Sequence, residues 1–215
     1  MSRLFGFAFL LLSGWCLQSH AQDSLFLEST PESRKGLLQA HERLSRGALR
    51  LGFYNLENLF DTKDDSLTRD DEFTPSGMKG WSDWRFNEKI ANLGKTIIGL
   101  GGWDAPAMLG FCEVENKFVL ERLLDQTGLE RVDYQIIHED SPDRRGIDVC
   151  MIYRADQVQI IRHKYHRIHY PADPSLRTRD ILYVEAKIFD QDTIHVFFNH
   201  WPSRWGGQQA SEPKR

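Results

Sequence analysis

Ala107-Met-Leu-Gly-Phe-Cys-Glu-Val-Glu-Asn116 (AMLGFCEVEN) is apolar without alternation until Glu113 interrupts it. That pattern predicts a strand over 107–114 buried on both faces, in a sheet that must therefore be covered on both sides. Upstream, Ser82 or Asp83 is placed to cap a helix. Phe86, Ile90, Leu93 and Ile97 then give it one apolar face, and glycines at 99–102 end it. Before that helix, 49–56 reads as a short strand. Residues 61–80 are acidic and aperiodic, a loop long enough to expect function in it. Downstream, Asn116 is placed to cap a second helix with Val119, Leu120, Leu123 and Leu124 inward. Further strands are expected at 134–137 and 147–153. In 181–189, Leu182, Val184, Ala186 and Ile188 share one side, and Tyr183, Glu185 and Lys187 the other. Asp190-Gln191-Asp192 turns the chain and 193–199 returns as its partner. Strands mixed with two helices and closed by a hairpin predict an α/β fold over 48–215, two mixed sheets in a sandwich with flanking helices.

The composition agrees. In 215 residues, 40% are hydrophobic and 27% charged, a globular balance for one domain or slightly more. Lys plus Arg is 27 and Asp plus Glu 31, a net charge of −4, which argues against a protein whose bulk affinity comes from a basic surface and leaves a locally basic site open. Arg3, the apolar run Leu4–Leu12 and Ser19-His20-Ala21 form a secretory signal pattern over 1–21, too short to span a bilayer. A secreted or periplasmic protein with no stable membrane insertion is expected. Residues 22–47 read as a polar leader, with one short helix near Leu37–Leu44. Beyond Cys16, Cys112 and Cys150 both lie in apolar runs and are expected as buried free thiols.

Four polar clusters fall at strand ends, where sheet scaffolds place sites. In Tyr54-Asn55-Leu56-Glu57-Asn58, Asn55 and Glu57 point to one side of a strand, an amide beside a carboxylate suited to a hydrated hard cation, though on these residues alone an Asn-rich strand exit is the commoner meaning. Glu113 closes an apolar strand, so it must be paired or metal-bound; an ion pair with Arg144 or Arg145 is the structural alternative. Glu115 is expected to help start the helix that follows. Asp143-Arg144-Arg145-Gly146 and Arg177-Thr178-Arg179 offer guanidinium forks for phosphate, or simply a solvated charged surface. His200 follows a buried strand and is placed for proton transfer or charge stabilisation; a lone histidine is usually structural, and its neighbours Asn199 and Arg204 favour a site, while Trp201 and Trp205 are expected to pack.

Taken in order, the strings FYNLENLFD, GFCEVEN, DRRGIDVCMIYR and FFNHWPSR resemble the endonuclease/exonuclease/phosphatase family, with its DNase-like sandwich, in its secreted bacterial form. The resemblance implies a metal-dependent phosphoesterase. Glu113 matches the family's metal-ligand glutamate, and Glu57 falls where some members carry a second acidic ligand. Asn55 matches the asparagine that works beside phosphate and metal. His200, with Asn199 before it, matches the histidine that contacts the scissile phosphate. Arg179 matches a phosphate-contacting arginine more loosely, and Arg145, from its own charged cluster, stands beside it as a candidate phosphate contact. Mg²⁺, with Mn²⁺ or Ca²⁺ as substitutes, would neutralise charge while water attacks phosphorus in line. The implied partners are nucleic acid or a small phosphorylated substrate.

Two later family motifs, Gly-Asp-x-Asn and Ser-Asp-His, do not occur in the 215 residues. The expectation is therefore an incomplete, N-terminal part of the domain whose C-terminal strands are absent, leaving the 181–199 hairpin without its cover. A secreted endonuclease or phosphodiesterase leads, with a lipid- or sugar-phosphate phosphatase second. A non-catalytic remnant that binds phosphate ligands or a partner chain is the alternative from a different class.

Overall fold

A computed structural model describes residues 49–102, 105–171, 173–188, 192–204 and 206–212. The expected signal peptide and leader, the helix near Leu37–Leu44, Cys16, the 190–191 half of the hairpin turn and Trp205 lie outside the described residues.

Strand β1 (Leu51–Leu59) leads through the acidic loop and a 3-10 turn at Asp71–Phe73 into helix α1 (Asp83–Gly101). Phe86, Ile90, Leu93 and Ile97 are all buried, as their spacing requires, and Gly102 ends the helix with φ +60°. Strand β2 (Met108–Val114) follows and lies parallel to β1, the arrangement a helical crossover permits. Asn116 caps helix α2 (Lys117–Asp125), its side chain accepting from the Val119 amide. Strands β3 (Tyr134–Ile137) and β4 (Asp148–Arg154) complete a sheet of order β1-β2-β4-β3, antiparallel at β2-β4 and β4-β3.

A second, antiparallel sheet holds β5 (Val158–His166), β6 (Ile181–Ile188) and β7 (Asp192–Phe198) in that order. β5 was not legible in the sequence. Its string VQIIRHKYH is mostly exposed and its register slips between Ile160 and Arg162, which breaks the alternation that marks a strand. A short helix α3 (Gln208–Ser211) follows.

There are two cores. One lies between the first sheet and the helices, holding Leu56, Phe111, Cys150 and Ile152 against Phe86, Ile97, Leu120 and Leu123. The other lies between the sheets, with Met108, Cys112, Val149 and Met151 against Leu182, Val184, Ala186 and Phe198. β2 feeds both, which explains its unbroken hydrophobicity. Cys112 and Cys150 sit on paired strands but belong to opposite cores and remain free thiols, as expected. At Gly110 the sheets pack so closely that a Cβ would lie 2.1 Å from the Phe198 ring. The inner face of the hairpin is therefore covered by the first sheet. Among the described residues β1 and β7 are edge strands, and Leu51, Phe53, Phe197 and Trp201 stay exposed along them.

Candidate phosphoester site at the ends of strands β1, β2 and β7

β1 and β2 do not end as regular strands. Their register shifts between Asn55 and Leu59, and that of β2 against β4 shifts between Cys112 and Val114. The bulges hold Glu57, Asn58 and Glu113 at φ values of +54°, +61° and +61°. Left-handed backbone in residues with side chains is strained and persists where surrounding structure enforces it, often at functional sites. The result is convergence. The Asn58 amide donates to Glu113 Oε2 at 3.0 Å, and the Glu57 amide donates to Asn55 Oδ1 at 2.7 Å. His200 Nε2 stands 3.4 Å from Glu113 Oε1.

Glu113 thus sits beside His200, not Arg144 or Arg145; the alternative ion pair does not form. Arg145 turns back onto Asp143, from Nε to Oδ1 at 3.2 Å, with half its side chain exposed. Arg179 is buried behind His200. Its Nη1 donates to Asp143 Oδ2 at 3.0 Å and its Nη2 to the His200 carbonyl at 2.6 Å. Both terminal nitrogens hold protein groups, so Arg179 braces the loop that carries His200. Asn199 makes one weak contact, to the Phe197 carbonyl at 3.3 Å. Glu115 accepts from the Asp61 amide at 2.6 Å; it ties β2 to the exit of β1, and the start of α2 is left to Asn116.

Burial lowers the His200 pKa to about 4, helped by Arg179 and opposed by Glu113. At neutral pH the ring is uncharged, with one donor and one acceptor nitrogen. Its Nδ1 is buried with no hydrogen-bond partner among the described residues. Burial and the nearby Glu113 push the Cys112 thiol up to about 12, so it is chemically quiet.

The sequence reading missed Lys89. It sits on α1, between the Phe86 and Ile90 positions of the buried face, and donates to the Glu57 carbonyl at 2.6 Å. Burial lowers its pKa while Glu57 and Glu113 raise it, so one ammonium answers both carboxylates. Asn55, Glu57, Arg85 and Lys89 line a groove of about 360 Å³. That a cation already balances the two acids tests the fit for a metal. Asn55 and Glu57 line this groove, and Glu113 lies at the neighbouring strand end beside His200; the amide and the two carboxylates offer oxygen ligands alone, an incomplete set. Mg²⁺ accepts such a set, keeping waters and a substrate phosphate as its other ligands.

Two packed sheets with helices, and a polar cluster at the strand ends, define an α/β sandwich of the DNase-like type. The chain belongs to the Endonuclease/Exonuclease/phosphatase family, whose model matches residues 50–215. No curated protein matches it. Among solved structures it is similar to the human nocturnin catalytic domain with bound sulfate, at 14% identity and TM-score 0.44, over 58% of this chain and 45% of that one. It is also similar to D. rerio TDP2 complexed with single strand DNA product, at 14% identity and TM-score 0.41, over 72% and 46%. An endonuclease/exonuclease/phosphatase family protein from Bacteroides thetaiotaomicron aligns at 15% identity and TM-score 0.43, over 69% and 49%. The chain spans about half the length of these structures.

Proposed function

We propose that the chain belongs to a metal-dependent phosphoesterase, most specifically an exported endonuclease or phosphodiesterase that cleaves nucleic acid. The observation that carries this reading is His200 standing 3.4 Å from Glu113 at two adjacent strand ends whose backbone is strained at Glu57, Asn58 and Glu113. Glu113 and Glu57, with the Asn55 amide, would hold Mg²⁺, which when bound supplies charge neutralisation at the phosphate oxygens. Mn²⁺ or Ca²⁺ would occupy the same oxygen ligands. His200, uncharged at neutral pH, would donate one hydrogen bond to a phosphate oxygen or take up one proton at Nε2. Arg179 holds the His200 backbone so that this ring keeps its place beside Glu113. Arg85 and Lys89 put positive charge along the groove, where an anionic substrate would lie. The signal pattern of 1–21 supports a secreted or periplasmic location.

A second reading has its own observation. A histidine that moves protons is usually oriented through its other ring nitrogen, and His200 Nδ1 has no partner among the described residues. This favours a phosphate-binding protein without turnover. The discriminating experiment incubates the chain with DNA, RNA, phospholipid and sugar phosphates, in Mg²⁺ and in EDTA. The enzymatic reading expects EDTA-sensitive hydrolysis that Glu113→Gln abolishes and His200→Ala lowers by roughly two to four orders of magnitude. Binding that EDTA weakens, with no product from any substrate, would replace it by the second reading.

A further inference from the structure

We propose that Lys89 is a positioning residue: it clamps the peptide unit that joins Glu57 to Asn58 and so fixes the direction of the Glu113 carboxylate. What that direction serves rests on the metal reading above.

A single peptide carries the effect. Lys89 Nζ donates to the Glu57 carbonyl oxygen at 2.6 Å. The Asn58 amide donates to Glu113 Oε2 at 3.0 Å. That carbonyl and that N–H belong to one peptide, and in a trans peptide they point in opposite directions. An ammonium therefore stands at the negative end of the peptide dipole and a carboxylate at its positive end. Each hydrogen bond is charge-assisted, and each polarises the amide in the sense that strengthens the other.

The peptide needs such a hold. Glu57 and Asn58 have φ values of +54° and +61°, a left-handed pair that residues with side chains keep only under constraint. To either side the backbone is tied within the exit of β1. The Glu57 amide donates to Asn55 Oδ1 at 2.7 Å, and the Phe60 amide donates to the Asn58 carbonyl at 3.1 Å. The 57–58 peptide instead reaches outward, to α1 by its oxygen and to β2 by its N–H. Released from Lys89, it would relax by rotating, taking its N–H away from Glu113. Glu113 Oε2 would then lose its donor, and Oε1 its place 3.4 Å from His200 Nε2.

Lys89 is itself confined. It is half-buried on α1, and its ammonium lies 6.0 Å from the centre of the Trp81 ring. Trp81 is buried, and its Nε1 donates to the Phe60 carbonyl at 2.9 Å. The lysine thus runs beside a ring fastened to the same strand exit. Arg85, one turn earlier, faces the acidic loop and donates to the carbonyls of Lys79 and Gly80. The two groove cations therefore differ: Arg85 anchors the loop before α1, and Lys89 anchors the strand end.

Two roles for Lys89 predict opposite signs. A lysine that only added positive charge beside Glu57 and Glu113 would repel a metal ion, and its removal would tighten metal binding. A lysine that orients a ligand lowers metal affinity when removed, by about 10–100-fold. Relief of the repulsion offsets part of that loss, so a net weakening of about tenfold is expected for Lys89→Met.

The test uses the full chain, its Lys89→Met variant and its Lys89→Arg variant, which keeps a charged donor. In EDTA, amide hydrogen exchange is followed by NMR at Asn58 and, as the control for the fold, at Phe111 in the middle of β2. Mn²⁺ is then titrated into each stripped chain and followed by electron paramagnetic resonance. In Lys89→Met the protection of the Asn58 amide should fall about tenfold or more while that of Phe111 holds, and Mn²⁺ should bind more weakly. Lys89→Arg should restore both. The proposal is overturned by an Asn58 amide as protected in Lys89→Met as in the parent, by an equal loss at Phe111, or by Mn²⁺ binding that is unchanged or tighter. A parent chain without affinity for Mn²⁺ would overturn the metal reading instead, and the Asn58 amide alone would then decide the clamp.

Discussion

Replacing Arg179 by Met tests how the His200 loop is held. Arg179 and Asp143 are 5% and 6% exposed and meet at 3.0 Å. Removing one member of such a buried pair leaves the other charge without compensation, a loss of about 3–5 kcal/mol. Asp143 would still keep Arg145, whose amide donates at 3.0 Å and whose Nε donates at 3.2 Å. The expected cost is therefore at the lower end, about 3 kcal/mol. For a chain of this size that lowers Tm by about 6–12 °C. Adding Asp143→Asn removes the stranded charge, so the double variant should be more stable than the sum of the single losses implies, with a coupling of about 1–3 kcal/mol. The same substitution bears on the site. Arg179 helps burial hold the His200 pKa down to about 4, so its removal should move the His200 titration upward in an NMR pH series. Urea unfolding of both single variants and the double gives the cycle. A single-variant loss below about 1 kcal/mol, strict additivity, or an unmoved His200 titration would refute the reasoning.

Glu115 gives a pH signature. Burial raises its pKa from 4.5 to about 8, opposed by the Asp61 amide and reinforced by Asp61, Asp70 and Asp65. The folded protein binds this proton more tightly than the unfolded chain, so stability is full below pH 4.5 and falls as pH rises through 8. Glu115→Gln keeps an acceptor for the Asp61 amide and loses the charge. Melts in EDTA should match the parent near pH 5 and exceed it by several degrees near pH 8.5, no more than about 3 kcal/mol after screening by solvent. A difference independent of pH would contradict this. Gly110→Ala puts a methyl 2.1 Å from Phe198 and should cost about 1–3 kcal/mol by forcing the sheets apart, read as a fall in the urea midpoint; an unchanged midpoint would mean the ring moves freely. Cys112 and Cys150 are buried with raised pKa values, so a thiol reagent at pH 7.5 should modify neither in the folded chain and both in urea, as peptide mass mapping would show.

The sequence by itself determined the elements whose reasons are local. The 4-3-4 spacing of Phe86, Ile90, Leu93 and Ile97 is a helix face in any context, and the alternation in 181–188 is a half-buried strand. The unbroken run before Glu113 implied cover on both faces, and two cores supply it. The same strings carried Asn55, Glu57, Glu113 and His200 in order. Tertiary structure alone decided what they meet. β5 has no clear period because a basic surface and a register slip erase it. Lys89 looks like any helix-surface lysine until α1 lies across the end of β1. Arg179 reads as a free phosphate ligand until the fold brings Asp143, 36 residues away, against it. His138 and Asp148 become neighbours only through β3–β4 pairing. Local periodicity reports which face of an element is buried; which charges share a buried space depends on contacts between elements distant in the chain.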